Sequence, residues 1–177
     1  MIHDFNRSLE VGDAGEQVII NWLKSGKNTL AVVDLRKQPN CQALDVDFAM
    51  VSLNGVQFKL HTLELKTDNT EYENLFYEEL SANETHSKGC LAKTKANTII
   101  YLYVKLGFAY IFDTQAFRQW VASKRNTLIG MGKLKHLKNY RYNGYDTYTT
   151  TGLAIPRTMI DQDLASFGTK IQCKRGQ

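Results

Sequence analysis

Cysteine is scarce, and the three present, Cys41, Cys90 and Cys173, are widely spaced. They form no CxxC pair and no zinc spacing with His3, His61, His86 or His136. That excludes a disulfide scaffold or a zinc finger, and leaves reduced thiols of a cytoplasmic protein as the expectation. Long apolar runs are missing as well. None approaches the ~18 residues that a membrane span requires, and no signal-peptide pattern opens the chain. Internal repeats, low-complexity tracts and linkers are also absent, so residues 1–177 read as a single domain. Charge of one sign barely predominates: a net charge of +4 and a pI near 8.9 permit a polyanionic partner without requiring one. The hydrophobic content of 43% is enough for a substantial core.

What is present is a chain of short periodic segments. A helix is predicted from Ala14 to Ser25, with Asp13 as N-cap, Gly26 as terminator and Val18, Ile19, Trp22 and Leu23 as its buried stripe. Leu30 to Arg36 reads as a strand closed by a turn at Gln38-Pro39-Asn40. Val46 to Ser52 and Phe58 to Lys66 read as the arms of a hairpin around Asn54-Gly55. Two aromatic strands follow, Thr98 to Val104 and Phe108 to Phe112, then a helix capped by Asp113 with Ala116, Phe117, Trp120 and Val121 inward. Thr70 to Leu80 fits either a helix or a strand. Residues 130–152, rich in Gly, Lys, Tyr and Thr, read as a long loop or a ribbon. A strand near Leu153 and a short helix over Ile160 to Phe167 close the chain. The order implies an α/β (α+β) domain with a mixed central sheet flanked by helices.

The hairpin carries the chemistry. Asp47 stands ahead of Phe48-Ala49-Met50-Val51, and Glu64 and Lys66 lie in the opposite arm. Side chains two apart on a strand share a face, so Glu64 and Lys66 point the same way and Asp47 can meet them. The tripeptide Glu64-Leu65-Lys66 alone carries no weight; its apolar setting and the aspartate opposite do. Carboxylates at such positions suit Mg²⁺, which is held by one or two of them plus waters and substrate phosphate oxygens. Asp47, Glu64 and the Leu65 carbonyl are the expected ligands. Asp45 shares the face of Asp47 and is the alternative, Asp47 being preferred for the apolar or small residues that follow it. Glu16 falls on the helix face of Ile19, Ile20 and Leu23 and is either a further ligand or the N3 member of a capping box with Asp13. Lys66 would orient or deprotonate the attacking water, or neutralise charge in the transition state. The plain alternative is a cross-strand ion pair on a solvated face.

Taken together, Glu16, Asp47 and Glu64-Leu65-Lys66 resemble the PD-(D/E)XK nuclease superfamily. The proline of the name motif is missing before Asp47. Gly12, Gly15 and Glu16 resemble the first helix of archaeal Holliday-junction resolvases. Asn74-Leu75-Phe76-Tyr77-Glu78-Glu79-Leu80-Ser81, then Lys88-Gly89 and Thr94-Lys95-Ala96-Asn97, resemble phage-encoded nucleases of this superfamily, with Asn97 in place of the usual Asp. The resemblance spans roughly residues 10–125. It implies a restriction-endonuclease-like αβββαβ core, favours an extended Asn74 to Glu79, and implies Mg²⁺ (with Mn²⁺ able to substitute) and no organic cofactor. It suggests phage or mobile-element DNA metabolism.

Two basic segments are candidate DNA contacts, since Lys and Arg on phosphates set affinity. The first comprises Lys88, Lys93, Thr94 and Lys95. The second comprises Lys133, Lys135, His136, Lys138 and Arg141 among Tyr140, Tyr142 and Tyr145, where basic groups beside aromatics suit a backbone grip with base stacking. The leading expectation is a metal-dependent endonuclease on duplex or branched DNA, structure-directed or weakly sequence-selective, with a homodimer among its expected states. The alternatives are a Holliday-junction resolvase, a catalytically silent nucleic-acid-binding module of the same fold, and a protein-interaction module.

Overall fold

The structure, a computed structural model, describes residues 5–140 and 147–173, with only the backbone for 5–14. Helix α1 (Phe5–Lys24) is followed by strands β1 (Thr29–Asp34), β2 (Phe48–Asn54) and β3 (Gln57–Asp68), with a four-residue helix α2 (Pro39–Gln42) between β1 and β2. Strands β4 (Asn74–Ala82) and β5 (Ser87–Lys88) come next, then a short helix α3 (Cys90–Lys93), strands β6 (Thr98–Tyr103) and β7 (Phe108–Asp113), and helix α4 (Thr114–Gly130). Strands β8 (Leu134–Tyr140) and β9 (Thr147–Pro156), helix α5 (Arg157–Asp163) and strand β10 (Gly168–Gln172) complete it.

The strands form two sheets. One is mixed, in the order β1-β2-β3-β6-β7-β10, with β3 and β6 parallel and every other pair antiparallel. The other is antiparallel, in the order β5-β4-β9-β8. The alternation of β3 and β6 divides the core. Leu63, Leu65, Ile100 and Leu102 pack with Ile19 and Leu23 of α1 on one face of the mixed sheet. Ile99, Tyr101 and Tyr103 pack on the opposite face with Leu75, Tyr77 and Leu153 of the second sheet and Phe117 of α4. The result is an α+β arrangement with a mixed central sheet. The link from β3 to the parallel β6 runs through the second sheet and α3, where an αβββαβ order would place a single helix.

Several expectations hold. The stripe of α1 is buried at Ile19 and Leu23, the hairpin closes, and the Asp113 carboxylate accepts the Ala116 amide of α4 at 2.8 Å. Asn74–Ala82 is extended, and the 130–152 segment contains the β8–β9 ribbon.

Others are corrected. Helix α1 does not begin at Ala14: it runs back through Asp13 to Phe5, so Glu16 lies mid-helix and is not part of a capping box. Gly15, within the same helix, is a packing contact. A Cβ there would stand 2.6 Å from Thr67 Cγ2, so glycine is what lets α1 lie directly on β3. The Pro39 turn is the first turn of α2, a position where the missing proline N–H costs nothing. Strand β10 gave no clear signal in the sequence; it pairs with β7 in register from Gly168↔Phe112 to Gln172↔Phe108. Among the described residues no helix is long and apolar enough to cross a membrane.

Candidate metal and nucleic-acid site

The site is set by register. Asn54 pairs with Gln57, so the hairpin loop is Gly55-Val56, and Gly55 takes φ +62°, the left-handed region that glycine enters freely. Counting back, Phe48 pairs with Leu63, which leaves Asp47 opposite Glu64. A one-residue slip would turn Glu64 toward α1. The Asp47 backbone is held on both sides: its N–H donates to Leu63 O at 2.8 Å and its C=O accepts from Leu35 N at 2.8 Å. The Leu65 N–H, with β2 ended, donates to Asp47 Oδ2 at 2.7 Å. In an extended strand N–H and C=O leave by the same edge, so the Leu65 carbonyl also faces the Asp47 side.

Glu64 is 6% exposed, and its Oε2 is buried with no hydrogen-bond partner. Burial first, then the charges of Asp47 and Asp45, push its carboxyl up to about 9, with Lys66 pulling the other way. Asp47 is raised too, by burial, while the Leu65 amide and Arg36 draw it down. The two carboxyls lie close enough together, and are buried enough, that at neutral pH the pair retains a proton. Lys66 shares the face of Glu64 and touches the Cys90 side chain. Cys90, then Glu78 and Glu64, hold its ammonium above its ordinary value. Burial pushes the Cys90 thiol up to about 11, with the Lys66 charge pulling the other way.

Asp45 sits beside this pair in the left-handed region at φ +48°, its Oδ2 3.2 Å from Lys93 Nζ. Glu16 does not join the carboxylates. It forms an ion pair with Arg36, which also binds Asp34 at 2.6 Å and lies over the Phe48 ring, 5.1 Å from its centroid. Arg36 is thus the connection between Glu16 and Asp47, and nothing local in the sequence marks it. Among the described residues no three His, Cys, Asp or Glu side chains converge to hold a metal. A cation here would rest on Asp47, Glu64, the Leu65 carbonyl and oxygens not supplied by the protein, the pattern usual for Mg²⁺. The unpartnered Glu64 oxygen and the like-charged pair fit that role.

The basic segments occupy separate places. Lys88 and Lys95 are exposed, Lys93 is paired with Asp45, and Thr94 is 1% exposed with its hydroxyl bonded to the Asp45 carbonyl. Lys133 is half-buried and its carbonyl accepts the Ala154 amide; Lys135 bonds the Gly132 carbonyl at 2.9 Å, and Lys138 is exposed on β8. His136 is tied to Thr151 Oγ1 at 2.8 Å. Arg141, Tyr142 and Tyr145 lie outside the described residues. Strands β5 and β8 are opposite edges of the second sheet, three strand spacings or about 14 Å apart, so Lys88 and the β8 lysines do not converge. Comparison with protein-family models, curated proteins and solved structures finds no match to this chain.

Proposed function

We propose that this protein is a Mg²⁺- or Mn²⁺-dependent deoxyribonuclease of the PD-(D/E)XK type. The observation that carries the reading is the buried Glu64 carboxylate, with one oxygen unpartnered, set against Asp47. Two acids forced together in a low dielectric are unfavourable unless a proton or a cation joins them. A bound divalent cation would supply charge stabilisation at the phosphate and lower the pKa of a water molecule. The protein's own part is positional. Asp47 is locked by the Leu65 amide, Glu64 by the β3 register, and both present oxygens on the face that carries Lys66. Lys66, its ammonium held above the ordinary value, donates to a phosphate oxygen or to the attacking water.

Duplex or branched DNA is the proposed substrate, met through phosphates by Lys88 and Lys95 and by the β8 edge. A second reading, a silent nucleic-acid-binding module, is favoured by one observation: Glu16 is engaged with Arg36 and adds no ligand. EDTA separates the two. A nuclease loses cleavage in EDTA and in Asp47→Asn while still binding DNA; a silent module binds DNA and cleaves none with any metal. Paired symmetric cuts in a four-way junction by a dimer would place the activity with resolvases.

A further inference from the structure

We infer that Thr94 and Asn97 are positioning residues that together fix the separation of Asp47 and Glu64; this rests on the carboxylate-pair reading above. The segment Thr94–Asn97 leads into β6 and grips both the chain that enters β2 with Asp47 and strand β3 with Glu64. On the β2 side, the buried Thr94 hydroxyl donates to the Asp45 carbonyl and accepts the Ala96 amide at 3.0 Å, while the Lys95 amide donates to the Leu44 carbonyl at 2.8 Å. Asp45 is thereby held in its left-handed conformation, two residues before Asp47. On the β3 side, Asn97 Oδ1 accepts the Thr62 amide at 3.0 Å and the Asn97 amide donates to Thr62 Oγ1 at 2.9 Å, two residues before Glu64.

The clasp is itself backed from α4. Arg118 Nε donates to Leu91 O at 2.9 Å and its Nη2 to Thr94 O at 2.8 Å. One rigid segment therefore sets the position of two strand positions that are distant in sequence. A site that binds a cation through two carboxylates needs that separation held to a fraction of an ångström. Only the oxygen of the Asn97 side chain is used in these bonds, so an aspartate would serve the clasp as well.

The test is amide hydrogen exchange followed residue by residue in the wild type and in Thr94→Val, Thr94→Ser, Asn97→Ala and Asn97→Asp, alongside Mn²⁺-dependent DNA cleavage. The Leu65 amide reports the Asp47 carboxylate directly, and the Thr62 amide reports Asn97. In Thr94→Val the Leu65 amide should exchange about 10-fold faster relative to Ile100 of the same sheet, with cleavage falling and DNA affinity retained. Thr94→Ser should restore both. Asn97→Ala should speed Thr62 exchange and slow cleavage, and Asn97→Asp should behave as wild type. Leu65 exchange that is unchanged, or that rises only in step with Ile100, overturns the inference; so does a loosened Leu65 with undiminished cleavage. A wild type that never cleaves overturns the nuclease reading, and the exchange data still report whether the clasp holds Asp47.

Discussion

The Leu65 amide donates to Asp47 Oδ2 at 2.7 Å, at the point where backbone pairing between β2 and β3 ends. A side chain takes over a ladder position there, which frees strand edge for the site while leaving the amide satisfied. The same bond makes Asp47 both a structural and a chemical residue, and substitutions can separate the two.

Asp47→Asn keeps an oxygen for the Leu65 amide, whereas Asp47→Ala leaves that part-buried donor unpaired. Asn is therefore expected to fold with little loss and Ala to lose about 1–3 kcal/mol. Both should lower metal-dependent cleavage at least about 100-fold. Denaturant melts and cleavage rates on the same preparations check this.

Stability should fall with pH in the absence of metal. The folded Glu64 carboxyl titrates near 9, above its unfolded value of 4.5, so its contribution is fully present below 4.5 and is lost as pH rises toward 9. Each pH unit of that separation is worth about 1.4 kcal/mol, and 1 kcal/mol moves Tm by about 2–4 °C at this length. Glu64→Gln should flatten the profile and melt several degrees higher than wild type at pH 8 without metal. Melting curves from pH 5 to 9 in EDTA check it.

The same proton governs metal affinity. A cation must displace it, so Mn²⁺ binding should tighten by up to about tenfold per pH unit below 9 and release a proton to the buffer. Calorimetry in buffers of different ionisation enthalpy measures both.

Gly89→Ala should be costly although the backbone there, at φ −67° and ψ 157°, suits any residue. An added Cβ would stand 2.2 Å from the Glu78 carbonyl, so the turn that sets Cys90 beside Lys66 would have to move. A loss of about 1–3 kcal/mol and slower cleavage are expected, read by denaturant melts and kinetics.

For DNA, Lys88 lies two residues before Cys90, which contacts Lys66, and the Lys95 amide donates to the Leu44 carbonyl ahead of Asp45 and Asp47. Lys88→Ala with Lys95→Ala should reduce the salt slope of binding by about 2, and more than Lys135→Ala with Lys138→Ala. Titrations across salt concentrations decide the order.

How much of this was legible in the sequence follows from the range of each interaction. The hairpin, the facing of Asp47 and Glu64, the apolar stripe of α1 and the Asp113 cap all rest on local periodicity and turn chemistry, and they are found where expected. The start of α1 was not legible, because Asp13 imitates an N-cap, and only the contact with Thr67 shows why a glycine at position 15 is needed mid-helix. The Glu16–Arg36 pair was not legible either, since it joins a helix to the end of a strand with no signal in either. Strands β8 and β10 form because neighbours offer edges to pair with, which composition does not disclose. Asn97 looked like a departure from a pattern, yet its oxygen is what the Thr62 amide uses.

The most direct measurement is cleavage of supercoiled plasmid by the wild type and by Lys66→Ala, each with Mn²⁺, Mg²⁺ or EDTA. The expected result is nicking or linearisation by the wild type with either metal, none in EDTA, and a loss of about 100-fold or more in Lys66→Ala. Cleavage that survives both EDTA and the Lys66 substitution would contradict it, and would mean that the carboxylate pair is not where the chemistry happens.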